Sequence, residues 1–132
     1  MDRLILDTSV LVAVERGHSS FGEIVSPTDD LAVAAVTVAE LLVGVALATG
    51  RLRAKRTLVI ERALRDAAVL PFDLGVAHIH ARLAAHGHRT GRQRGAYDTM
   101  IAATAIAHDR TVVTADARGF QGQPGLSVRV LP

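Results

Sequence analysis

Short apolar runs alternate along the chain with longer stretches of mixed polarity. Residues 3–6, "LAVAAV" from Leu31, "TVVTAD" from Thr111 and "LSVRVL" from Leu126 have the length and composition of strands. Between the first two, "SVLVAVERG" predicts a short helix closed by Gly17, and "SPTDD" predicts a turn. "TVAELLVGVALATG" predicts a helix that starts with Thr37 as N-cap, carries Glu40 three residues later as in a capping box, and ends at Gly50.

Residues from Arg51 to about Ala68 predict a helix with a basic polar face. "AVLPF" predicts a short edge strand, because Pro71 has no N–H to give a ladder. Asp73 is placed to cap a helix running to about His88, and Gly87, Gly91 and Gly95 bracket a basic loop expected to be mobile. "YDTMIAATAIAH", Tyr97 to His108, is apolar nearly all round and is therefore expected at the centre. Strands alternating with helices predict an α/β domain whose mainly parallel sheet is covered on both faces. The length of 132 residues suits one domain.

Composition supports a packed core: 49% of residues are hydrophobic and 21% charged, unlike a disordered chain. Aromatic residues make up only 3% and Trp is absent, so a stacking platform for single-stranded bases is excluded. The absence of cysteine excludes disulfides, thiolate metal sites and a Cys nucleophile, and fits a cytoplasmic protein. No signal-peptide pattern opens the chain. Leu31 to Gly50 is long enough to cross a bilayer. However, Glu40 at its centre would cost roughly 2.5–3.5 kcal/mol on insertion scales. A buried strand followed by a buried helix is expected there, and no membrane span.

The net charge is +2, yet fifteen basic residues, all arginine except Lys55, are unevenly placed. "GRLRAKR" from Gly50 continues to Arg62 and Arg65, and "HRTGRQRG" supplies Arg89, Arg92 and Arg94. Guanidinium forks match phosphate and carboxylate geometry, which suits a polyanion or an acidic partner; solvated helix faces and loops are the plainer alternative.

Of thirteen acids, four lie in strongly apolar surroundings: Asp7, Glu40, Asp98 and Asp116. Asp7 and Asp116 each follow a predicted parallel strand, and ligands of open α/β sheets bind beyond the carboxyl ends of strands. Glu40 and Asp98 lie early in two apolar helices fed from loops expected at that edge. Each acid also has a local explanation: a capping box for Glu40, a helix dipole for Asp98, turn bonding for Asp7 and Asp116. If the four converge, they repel one another unless a cation neutralises them. An all-oxygen set without His or Cys favours Mg²⁺ or Mn²⁺, and metal held so suits hydrolysis of a nucleic acid backbone.

"LILDTSVLVA", "VTVAELLVG", "YDTMIAATAIAH" and "TVVTADARGF", in this order and over essentially the whole chain, resemble the PIN-domain ribonucleases, specifically the VapC toxins of bacterial toxin–antitoxin pairs. The resemblance implies a single PIN-like domain over residues 1–132, a three-layer α/β/α fold with a mainly parallel central sheet. It implies that Asp7, Glu40, Asp98 and Asp116 form an acidic Mg²⁺ or Mn²⁺ site, with Asp7 as central ligand, Asp98 and Glu40 as its co-ligands and Asp116 as an outer or second-metal ligand, and that the Ser9 and Thr114 hydroxyls steady the carboxylates. It further implies endonucleolytic cleavage of structured RNA (tRNA, rRNA or mRNA) by a growth-inhibiting toxin. A VapB-type antitoxin would lie along the groove by the first helices and set an Arg near the acids. Homodimers are common among such proteins; the apolar face of Leu41 to Leu47 suits either contact, although core packing is the preferred explanation. Gly119 stands where many relatives carry an Asp, which argues against a second full metal site. RNA contacts are assigned to Arg89, Arg92 and Arg94.

Other classes fit less well. Receiver-like phosphoryl acceptors need a lysine after a late strand, whereas Lys55 lies in the basic helix. His78 with His80, and His86 with His88, are spaced i,i+2 and point to opposite sides of a helix, unlike a zinc pair. No G-x-G-x-x-G or P-loop occurs. A non-catalytic RNA-binding or regulatory PIN-like module is the serious rival, and the presence of all four acids favours the enzyme.

Overall fold

A computed structural model describes residues 1–132. Five parallel strands form one sheet in the order β3-β2-β1-β4-β5: β1 is Arg3–Leu6, β2 Asp30–Ala34, β3 Ala68–Leu70, β4 Thr111–Thr114 and β5 Val128–Val130. Six helices cover it: α1 Thr8–Glu15, α2 Phe21–Ile24, α3 Ala35–Leu47, α4 Gly50–Asp66, α5 Leu74–Thr90 and α6 Ala96–Ala107.

Successive strand residues feed opposite layers. Ile5, Ala32, Ala34 and Val112 pack with Val76 and Leu83 of α5 and with Ile101, Ala102 and Ala105 of α6. Leu4, Leu6, Val33 and Val113 pack on the other side with Val10, Leu11, Phe21, Ile24 and Ala63. The result is the expected α/β/α sandwich. From β1 the chain moves outward to β2 and β3, then returns to add β4 on the opposite side of β1. That reversal opens a crevice at the carboxyl ends of β1 and β4, where Asp7 and Asp116 stand.

The other end of the sheet is pinned by Arg110, whose side chain is 7% exposed. Its Nη1 donates to Leu4 O at 3.2 Å, Asp30 O at 2.9 Å and Asp30 Oδ1 at 3.0 Å, tying β1 and β2 to the approach to β4. Arg110→Ala removes these bonds and strands acceptors in a partly buried pocket. A loss of about 2 kcal/mol is expected in urea unfolding, between the values for exposed and buried pairs.

Several expectations are corrected. The apolar run from Leu31 stops being a strand at Ala34, and α3 begins immediately, so its N-cap is Ala34 rather than Thr37. Thr37 is fully buried inside the helix with an unpartnered hydroxyl, and no capping box links it to Glu40. The chain's box pairs Ser20 with Glu23 at α2, where Glu23 Oε2 accepts from Ser20 N–H at 3.4 Å. Nor is α3 a buried helix: Thr37 is its one buried residue, and Leu42, Val43 and Leu47 are 51%, 58% and 81% exposed. Core packing therefore does not explain that face. Gly87 lies within α5 rather than at a loop boundary; a Cβ there would sit 2.9 Å from Arg92 O, so its bareness lets the following loop fold back on the helix. Two arginines of α4 have structural partners. Arg56 bonds Glu15 at 3.1 Å and Gly44 O at 2.8 Å, and Arg62 lies over the Phe21 ring. No helix is long and apolar enough to cross a membrane.

Candidate active site

Asp7 is the residue between β1 and α1. Its backbone N–H continues the ladder to Val113 O at 2.9 Å, and its carbonyl accepts from Val10 N–H at 3.0 Å. The side chain, only 5% exposed, is therefore carried by two rigid elements. Ser9 Oγ donates to Asp7 Oδ2 at 2.6 Å, and Thr114 Oγ1 lies 2.9 Å from the same oxygen. Each hydroxyl also holds the loop after β4: Ser9 Oγ accepts from Ala115 N–H and Thr114 Oγ1 from Asp116 N–H, both at 3.0 Å. Both stand against the carboxylate they were expected to steady.

Glu40 occupies the second turn of α3, half-buried, and its Oε1 accepts from Thr8 Oγ1 at 2.8 Å. With α3 starting at Ala35, helix capping does not account for this acid. Thr8 is a member of the site that residue pattern alone did not single out; it stands beside Asp7, but only the fold brings Glu40 to it.

Asp98 lies in the first turn of α6. A helix dipole acting alone would lower its pKa, yet the direction is upward. Burial and the charges of Asp7, Glu40 and Asp116 push the Asp98 carboxyl above the ordinary aspartate range, with Arg94 pulling it partly back. The four acids thus share one field. A Cβ built on Gly119 would fall 2.3 Å from Asp98 Oδ2 and 2.7 Å from its Cγ, so the loop after β4 closes directly over this carboxylate. No side chain, acidic or otherwise, fits at 119 while Asp98 holds this position.

Asp116 differs from the others. It is exposed and caps the 3-10 turn Ala117–Gly119, its Oδ1 accepting from Arg118 N–H at 3.1 Å, as the turn reading anticipates. Arg118 also grips it with Nε to Oδ1 and Nη2 to Oδ2, each at 3.0 Å. These bonds hold the Asp116 carboxyl below the usual range. No sequence signal marks this pairing of residues two apart.

The three loop and helix arginines are not equivalent. Arg94 donates Nη1 to Arg118 O at 2.6 Å and Nη2 to Gln121 O, which sets it beside Asp98. Arg92 reaches Gly122 from the same side. Arg89 lies further back on α5.

The donor set is four carboxylates backed by three hydroxyls, which suits a hard divalent cation. No three His, Asp or Glu side chains yet stand at the mutual spacing of a closed ligand shell. The upward push on Asp98 and the oxygen-only chemistry are what a cation would satisfy.

The PIN domain family profile matches residues 4–124. Ribonuclease VapC5 of Mycobacterium tuberculosis is 41% identical over 113 residues, covering 85% of this chain and 82% of that protein. The solved VapBC-5 structure from Mycobacterium tuberculosis, of the VapBC family of toxin-antitoxin systems, superposes with a TM-score of 0.81 at 30% identity, covering 99% of this chain and 100% of that one. VapBC2 from Rickettsia felis, solved bound to a DNA fragment from their promoter, shares the fold with a TM-score of 0.86 at 21% identity, over 98% of this chain and 99% of that one. The chain belongs to the PIN-domain family and, within it, to the VapC group.

Proposed function

We propose that this protein is a Mg²⁺- or Mn²⁺-dependent endoribonuclease that hydrolyses phosphodiester bonds in structured RNA, acting as a cytoplasmic toxin restrained by a VapB-type antitoxin. The observation that carries the reading is the gathering of the acids at the carboxyl end of the sheet: Asp7 closes β1, Glu40 is bonded to Thr8 beside it, and Gly119, three residues after Asp116, lies against Asp98.

Asp7, Glu40 and Asp98 would hold the metal, with Asp116 joining from outside once released by Arg118. Bound there, a divalent cation supplies Lewis-acid polarisation of the phosphate and a lowered pKa for attacking water. The chain's own residues prepare this. Ser9 and Thr114 fix the Asp7 carboxylate, and Thr8 fixes that of Glu40. Burial and the neighbouring acids disfavour the ionised Asp98 carboxyl, and a cation bound among them would relieve that repulsion. Arg94, pinned on two carbonyls, presents its charge at the edge of the acids, where a phosphate would sit.

A groove of about 210 Å³ between α1, α3 and α4 suits the antitoxin segment. It is lined by Leu11, Leu41, Val59 and Ile60 and has Thr8 and Glu40 at its end, so an Arg on the bound segment would reach the acids. The exposed Leu42, Val43 and Leu47 of α3 offer an apolar face for a homodimer.

Thermal melting tests the metal site without RNA. Asp98 protonates more readily in the folded than in the unfolded chain, so the metal-free fold loses stability as pH rises from the ordinary aspartate range through the folded value. At neutral pH, Asp98→Asn is expected to melt a few degrees above the metal-free wild type, water screening part of the repulsion at this half-exposed group. Mn²⁺ or Mg²⁺ is expected to raise the wild-type melting temperature and to raise that of the variant much less. A wild type indifferent to both cations would sink the metal assignment.

A further inference from the structure

Helix α5 contains no acid between Leu74 and Thr90, and its exposed face carries His78, Arg82, His86 and Arg89. The spacing of four, four and three residues keeps them on one side of the helix, along about 16 Å at 1.5 Å per residue. They form one wall of a cleft of about 790 Å³, floored by Leu83 and Ile106 and closed opposite by Pro124 and Gly125. The facing segment, Gln121 to Ser127, has no charged residue. Arg82 and Arg89 take part in none of the chain's ion pairs, unlike Arg56 and Arg62 of α4.

The cleft leads toward the acids. An adjoining depression shares Leu83, His86 and Pro124 with it and continues to Arg92 and Arg94. Those two guanidinium groups flank Gly122, at 3.4 and 3.5 Å from where its Cβ would stand. Arg94 in turn acts on Asp98. Cationic groups therefore follow one another from the middle of α5 to the carboxylates.

We infer that the His78–Arg82–His86–Arg89 face of α5 is a track for the RNA backbone, holding substrate away from the scissile bond and feeding it past Arg92 and Arg94 to the acids. The inference rests on the ribonuclease reading above. A phosphate backbone matches an acid-free face that presents two guanidinium groups outside any ion pair, with two imidazoles between and beside them as hydrogen-bonding groups. A second copy of the chain matches it poorly, because two-fold pairing across α5 would set the row against itself.

The test measures binding of a fluorescent polyuridylate strand, long enough to span track and acids, at several salt concentrations in the Asp7→Asn background. Arg82→Ala with Arg89→Ala is expected to weaken binding tenfold to a hundredfold and to reduce the salt slope by about 1.4, from two lost phosphate contacts on a single strand. Arg51→Ala with Arg53→Ala removes the same charge from α4 and is expected to leave the slope nearly unchanged. Equal slope changes in the two pairs, or none in the α5 pair, would overturn the track. So would an α5 pair that alters only the sedimentation velocity, which would assign the face to contacts between copies. Metal-dependent cutting by the wild type alongside either result removes the track alone; a wild type that neither cuts nor binds removes the ribonuclease reading with it.

Discussion

Asp7→Asn is expected to lower RNA cleavage about a thousandfold, ~4 kcal/mol of barrier at 1.36 kcal/mol per factor of ten, while the protein stays folded. Asn has the shape of Asp and can still accept from Ser9 and Thr114 through its amide oxygen. What it loses is the charge, at a position 5% exposed and held by hydroxyls at 2.6 and 2.9 Å. With the oxygen turned to the hydroxyls, the amide NH₂ takes the place of Oδ1 and presents a donor where a cation needs an acceptor. The melting temperature should remain within a few degrees of the wild type, because removing one of four like charges offsets the weaker bonds. A variant that cuts at the wild-type rate would show that the acids do not form the reactive centre.

Gly119→Ala is expected to cost about a hundredfold in cleavage, the scale of an ångström-level misplacement of a reacting group. Its backbone is in an ordinary conformation, so Ala is not excluded by strain; the obstacle is the side chain of Asp98, 2.3 Å from the new methyl at Oδ2 and 2.7 Å at Cγ. Asp98 is half-exposed and free to turn outward, so the methyl costs little stability and mainly moves the carboxylate. Kinetics beside a urea melt separate the two effects. Wild-type cleavage in a folded Gly119→Ala protein would mean that the observed Asp98 position is not the working one.

The acids were legible because each interrupts an apolar context, and the strands that carry Asp7 and Asp116 are bounded clearly by polar residues. Element boundaries were illegible where that contrast vanishes. "LAVAAVTVAELL" has no polar break at Ala34, so strand and helix run together, and the three-residue spacing of Thr37 and Glu40 imitates a cap that does not form. The four-residue α2 is too short for a period to emerge. Hydrophobicity also misplaced α3 in the core: Leu42, Val43 and Leu47 are exposed, and composition does not distinguish an exposed apolar face from a buried one. The bonds of Thr8 to Glu40 and of Arg118 to Asp116 depend on tertiary placement and turn geometry, neither of which leaves a spacing to read.

Exposure of total cellular RNA to purified, antitoxin-free protein with Mg²⁺, with Mn²⁺ and with EDTA, beside folded Asp7→Asn, decides whether the acids form a metal-dependent nuclease. Discrete fragments from the wild type with either cation, abolished by EDTA and by Asp7→Asn, are the predicted result. Cutting that survives EDTA, or RNA left intact by folded wild type that nevertheless binds it, would contradict the metal-dependent nuclease; the second result would favour a binding module.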